Sequence, residues 1–176
     1  MRTIYTIGHS TRSIDEFIAL LKHYGVTRLV DIRSVPGSRH NPQYGQAALQ
    51  ESLEERKIGY TYLKKLGGWR RGPSGPENAG WRNASFRSYA DYMQTSTFRE
   101  GLDELLLLAK GELVAIMCAE AVPWRCHRSL VGDALLVRDV AVRDIMSLTN
   151  SPAHKLTSFA EVDGTNITYP ASNIVQ

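Results

Sequence analysis

The chain has 176 residues, 43% of them hydrophobic and 22% charged, and a formal net charge of +3. That length suits one domain of about 100–200 residues, and so mild a charge is unlike that of a protein that coats nucleic acid. No apolar run approaches the roughly 18 residues of a membrane span, the start MRTIYTIGHS turns polar too early for an export signal, and two cysteines without such a signal point to a reducing cytoplasm and to no membrane partner.

The first predicted element is a strand over RTIYTI (2–7), β-branched and aromatic, ending at Gly8. Ser13-Ile14-Asp15-Glu16 has the form of a capping box. Behind it Ile14, Phe17, Ile18, Leu21 and Tyr24 follow helical spacing up to Gly25. A second strand, TRLVDI (27–32), leads through a loop with Pro36, Gly37 and Pro42 to a helix at about 46–57, closed by Gly59. A third strand is YTYL (60–63). From Lys64 to Ala84 no period is visible, and five glycines and two prolines interrupt the chain; loops of this length inside a domain are usually functional or disordered. Helical segments follow at about 86–94 and 97–110, the second with a stripe of Phe98, Leu102, Leu105, Leu106 and Ala109. ELVAIMC (112–118) is a near-continuous apolar run, the pattern of a strand covered on both faces. A helix at about 127–138, a strand VRDIMS (142–147) and a small hairpin turning at Asp163-Gly164 complete the series.

This alternation predicts one α/β domain over residues 1–176, with a core at about 2–147 and a C-terminal extension at 148–176. The expected architecture is a mostly parallel sheet of about five strands with helices on both faces. In such sheets ligands bind beyond the carboxyl ends of the strands. The polar residues least suited to packing fall there: Gly8, His9 and Ser10 after the first strand, Asp31 and Arg33 at the second, the Lys64–Arg71 stretch with Gly67, Gly68 and Arg70 after the third, and Cys118 and Glu120 after the fourth.

The stretch MCAEAVPWRCHRSL (117–130) holds both cysteines, Cys118 and Cys126, together with Glu120, Arg125, His127 and Arg128. A helix starting near His127 would present free N–H groups and partial positive charge to an anion or a thiolate. With two arginines beside it, a thiol can be lowered from ~8.5 to roughly 3.5–7.5. Cys118 or Cys126 is then a reactive thiol, with Glu120, His127 or His9 as proton carriers. The Cys118-to-Arg125 spacing is one residue longer than a tyrosine-phosphatase loop, lacks its glycines and carries Glu120. A small buried residue at a strand end is the competing reading of Cys118. Cys118, Cys126 and His127, with Glu120 or His9, also offer ligands for zinc or iron, and the two cysteines could form a redox pair. Asp31 is either a base or orienting group or the partner of Arg33, while Arg33 and Arg39 would clamp an anion through their planar forks. The tryptophans and arginines of 64–83 suit base stacking and phosphate contact, or form a lid packed on the core; Phe86, Tyr89 and Tyr92 read as core.

The segments TIGHS, LVDIRSVPGSR, YLKKLGG, FRSYADYM and MCAE…CHRSLVGDAL occur in this order. Together they resemble the bacterial domain-of-unknown-function family 488, from about residue 4 to at least 145, and the tail AHKLTSFAEV…ITYP also fits. The family motifs fall on Gly8, His9, Ser10, Asp31, Arg33, Pro36, Ser38, Arg39, Leu66, Gly67, Gly68, Cys118, Glu120, Cys126, His127 and Arg128. The resemblance implies a compact α/β domain but neither a reaction nor a cofactor. The expectation is therefore an enzyme or ligand-binding domain for an anionic, phosphate-bearing small molecule or nucleic acid at the strand ends, with thiol chemistry. A non-catalytic nucleic-acid-binding module and a Cys/His metal site are the alternatives. Cofactor and oligomeric state are left open.

Overall fold

The apolar run ahead of Cys118 becomes the central strand of the domain, because only a strand with neighbours on both edges and helices on both faces can bury every side chain. The computed structural model describes residues 2–70 and 75–171; Arg71 and Gly72 of the glycine-rich segment lie outside them. In chain order the core elements are β1 (Thr3–Gly8), α1 (Ile14–His23), β2 (Arg28–Asp31), α2 (Gln46–Glu55), β3 (Gly59–Tyr62), α3 (Ala84–Tyr92), α4 (Ser96–Gly111), β4 (Val114–Cys118), α5 (Arg128–Leu136) and β5 (Ala141–Ile145). The sheet order is β3-β2-β4-β1-β5, and every pairing in it is parallel.

Side-chain alternation along the strands sorts the core into two layers. Ile7, Leu29, Ala115 and Met117 pack against Phe17, Ile18 and Leu21 of α1 and Leu49 and Leu53 of α2. Ile4, Val30, Ile116 and Val142 pack against Phe86 and Tyr89 of α3, Phe98, Leu102 and Leu105 of α4 and Leu130, Val131 and Leu135 of α5. This division follows from right-handed crossovers. The moves β1 to β2 to β3 run toward one edge and place α1 and α2 on one face. The moves β3 to β4 to β5 run back and place α3, α4 and α5 on the other. Ser13 caps α1 as expected, its hydroxyl accepting from the Glu16 N–H.

The C-terminal extension lies along the free edge of β5. The Asp144 N–H donates to the Pro152 carbonyl and the His154 N–H to the Val142 carbonyl. Beyond it, β6 (Glu161–Asp163) and β7 (Asn166–Thr168) form the expected antiparallel hairpin. Trp81 packs among the rings of Phe86, Phe159 and Tyr169, so this tryptophan of the glycine-rich segment belongs to the core.

Candidate functional site

β4 is flanked by β1 and β2, whose following helices lie on the face opposite to α5. The loop leaving β4 turns to one face and those leaving β1 and β2 to the other, and the crevice between them is where a doubly wound sheet binds ligands. Cys118 is the last residue of β4, paired across to Gly8 of β1. A Cβ added at Gly8 would lie 1.6 Å from the Glu120 carbonyl oxygen, so only glycine lets the loop after β4 fold across the end of β1. The backbone contact continues past the strands, with the His9 N–H on the Cys118 carbonyl and the Ser10 N–H on the Ala119 carbonyl.

A cleft of about 310 Å³ opens at this point, lined by Arg33, Ser34, Gly68, Trp69, Ser85, Phe86, Cys118, Ala119, Glu120, Arg125, Cys126 and His127. Behind Cys118 the side chain of Arg128 is fully buried. Its NH1 donates to Cys118 Sγ at 3.3 Å and to the Glu120 carbonyl at 2.9 Å, and its NH2 donates to the Ala121 carbonyl at 3.0 Å. Nε has no partner among the described residues. The first N–H of α5, that of Arg128, points at Cys126 Sγ, 3.4 Å away, as the exposed amides of a helix start predict.

The two sulfurs differ. Burial pushes the Cys118 thiol up, but a hydrogen bond from the Cys126 thiol and the Arg128 charge outweigh it, so its pKa falls below the usual thiol value. Burial, and then the neighbouring Cys118, push Cys126 well above it. Both cysteines are free. His127 Nε2 lies 2.9 Å from the Ile32 carbonyl, which can only accept, so Nε2 carries the ring proton and Nδ1 is a bare acceptor 3.4 Å from Cys126 Sγ. Burial, against backbone hydrogen bonds that favour the charged ring, lowers the His127 pKa to about 4. Gly68 makes room for this ring, since a Cβ there would lie 2.3 Å from His127 Nδ1.

The second polar cluster is closed on itself. The buried Asp31 carboxylate accepts from Arg33 N–H, Nε and NH2 and from the Tyr60 hydroxyl, each at 2.7–3.1 Å. Arg33 NH1 reaches His9 Nε2 at 3.5 Å. His9 Nδ1 donates to the Ser10 carbonyl, and its ring stacks on Tyr44 at 4.2 Å. Burial first, then Arg33, lower the His9 pKa. Asp31 and His9 thus orient Arg33, which alone of the three lines the cleft.

The remaining expectations divide. Glu120 is exposed at the cleft, while Arg39 is exposed outside its lining. Arg70 stacks over the Tyr92 ring at 3.7 Å and donates to the carbonyls of Lys64, Lys65 and Gly67, holding its own loop. Gly67 packs against Ser34, and Ser10 takes a left-handed φ of 48° at the turn after β1. Among the described residues no three His, Cys, Asp or Glu side chains come together as metal ligands; in particular Cys118, Cys126 and His127 do not, with Nε2 of His127 held by a carbonyl. Ser34 and Ser85, which line the cleft, carry no sequence signal.

A further buried network went unread in the sequence. His154 Nε2 lies 2.9 Å from Asp133 Oδ1 and its Nδ1 3.7 Å from Asp144 Oδ2. Tyr169 donates to Asp133 and Thr6 to Asp144. Burial would lower the His154 pKa, but the two carboxylates overcome it and raise it to about 9. The available signal was an aspartate inside the apolar run LVGDALL of α5.

No helix among the described residues is long and apolar enough to cross a membrane. No curated protein and no solved structure matches the chain. The model of the family described as "Domain of unknown function DUF488" matches residues 13–135, from the cap of α1 to the last turn of α5 and so through both cysteines and Arg128, and the chain belongs to that family.

Proposed function

We propose that the protein is an enzyme that uses Cys118 as a thiolate nucleophile on an anionic substrate bound in the cleft at the carboxyl ends of the strands. The observation that carries this reading is the environment of Arg128. Its guanidinium is fully buried, and no carboxylate of the described residues lies within salt-bridge distance of it. Removing such an ion from water costs several kcal/mol unless an anion accompanies it. The group placed to be that anion is Cys118 Sγ, at 3.3 Å. The pair of thiols then carries one negative charge, with Cys126 keeping its proton. Arg125 at the cleft supplies positive charge for the substrate, and Glu120 on the same lining is the carboxylate available to move a proton.

Alkylation tests this directly. Anionic iodoacetate should modify Cys118 faster, relative to neutral iodoacetamide, than it does a free small thiol. Its pH profile should turn below the ~8.5 of an ordinary cysteine, and Cys126 should stay protected. An ordinary midpoint with no preference for the anionic reagent would sink the reading.

Exposed tryptophans favour a second reading, a rim that binds single-stranded nucleic acid. Trp69 and Trp124 are 64% and 66% exposed, and they are the aromatic members of the exposed large apolar side chains. Trp69 lines the cleft itself, and Trp124 and Arg125 line the hollow beside it. Stacking on such rings contributes about 1–3 kcal/mol per base. Affinity for an oligothymidylate that falls steeply with salt and drops on Trp124→Ala would support it; absence of binding at low salt would remove it.

A further inference from the structure

We infer that the substrate class of this site is a small anionic disulfide, attacked by Cys118 and resolved by Cys126. The inference rests on the nucleophilic reading of Cys118 and adds the role of the second sulfur. Both sulfurs are held by one residue, Cys118 by the side chain of Arg128 and Cys126 by its backbone N–H, and both line the same cleft.

An acyl or phosphoryl intermediate on Cys118 would place the electrophilic centre on carbon or phosphorus, where a neighbouring thiol has no function. A mixed disulfide places it on the Cys118 sulfur itself, the hydrogen-bond neighbour of Cys126. A peroxide would also leave an electrophilic sulfur, but it needs neither a cleft of about 310 Å³ nor Arg125 on its lining. An organic disulfide bearing carboxylates uses both.

The steps balance within the protein and this substrate. The Cys118 thiolate attacks one sulfur of RS–SR; the Cys118–S bond forms, the substrate S–S bond breaks, and RS⁻ leaves. Cys126 then attacks the Cys118 sulfur, expelling the second RS⁻, and its own proton passes to a departing thiolate as the Cys118–Cys126 bond forms. The protein ends as a Cys118–Cys126 disulfide, oxidised by two electrons, and the substrate ends as one thiol, which holds the Cys126 proton, and one thiolate, which is protonated by water. Resolution is an internal attack by a thiol already in place, so it outpaces any second molecule from solution.

Oxidised glutathione, a tripeptide disulfide with free carboxylates, is the probe. The full chain is mixed with it, quenched in acid and read by intact mass and peptide mapping, with thermal melting of each variant as the folding control. The wild type should lose two hydrogens and carry no glutathione. Cys126→Ser should accumulate one glutathione on Cys118, and Cys118→Ser should carry none. If the wild type instead accumulates the Cys118 adduct as Cys126→Ser does, Cys126 does not resolve it and the inference is overturned. If no adduct or disulfide forms while iodoacetate still alkylates Cys118, the substrate class is wrong and the nucleophile stands. Glutathione appearing on Cys126 of Cys118→Ser as fast as on Cys118 of Cys126→Ser would overturn both.

Discussion

Arg33 and Arg128 are both buried at the carboxyl end of the sheet, and their partners are of opposite kinds. Asp31 alternates with Val30 along β2 and so faces the α1–α2 layer, where its two oxygens take three donors from Arg33 and one from Tyr60. Cys118 alternates with Met117 and faces the α5 layer, where Arg128 meets two carbonyls and a sulfur. The first cation is neutralised by a carboxylate that the fold itself sets against it. The second is neutralised only if a thiol ionises. A buried ion pair completed by the fold is structure; one completed by a titratable, nucleophilic group is poised for chemistry.

Four substitutions test this contrast, the largest effect first. Arg33→Leu leaves Asp31 buried without its cation and should destabilise the fold by about 3–5 kcal/mol in urea unfolding; a loss under 1 kcal/mol would mean that the pair is not what holds the end of β2. The His154 cluster extends the contrast to a buried cation with two carboxylates. Its folded pKa of about 9 exceeds the unfolded value of ~6.5, so its stabilisation is full below ~6.5 and is lost as pH rises through about 9. Stability of the wild type should fall by up to about 3 kcal/mol across that window, and His154→Gln should flatten the fall. Arg128→Met removes the charge that favours the Cys118 thiolate and should slow its alkylation at neutral pH by about tenfold, one pKa unit or ~1.4 kcal/mol. An unchanged rate would assign the thiolate to another cause. Tyr60→Phe removes one donor from Asp31 and should cost about 1 kcal/mol, with the Cys118 midpoint unmoved; a shifted midpoint would show that the two arginine sites communicate.

Much of the fold was readable residue by residue. The apolar run 112–118 became the central strand, the Ser13 cap opens α1, and the Asp163-Gly164 turn closes a hairpin. These signals depend on near neighbours in the chain. The convergence of strand ends was readable too, since a parallel sheet aligns them, and Arg33, Gly68, Cys118, Glu120, Cys126 and His127 do share one cleft. The family match begins at residue 13, so the Gly8-His9-Ser10 turn takes its meaning from geometry alone: Gly8 from the carbonyl of Glu120 above it, His9 from the stack on Tyr44. Arg39 and Arg70 looked equivalent to Arg33 in the sequence, yet one stays on the surface and the other is engaged by Tyr92 and loop carbonyls.

By itself the sequence determined the order of elements, the layered α/β class and the set of chemically competent residues, because periodicity, caps and turn chemistry are written in local spacing. The tertiary structure alone decided which of those residues face one another. Asp31 and Cys118 stand on opposite sides of the sheet because of where side-chain alternation leaves each strand end. Arg128 reaches Cys118 because α5 packs back over β4. His154 meets Asp133 and Asp144 because the extension runs beside β5. Burial and the charges brought beside it then shift the titration of Cys118, His127 and His154, and both are properties of the whole chain folded together.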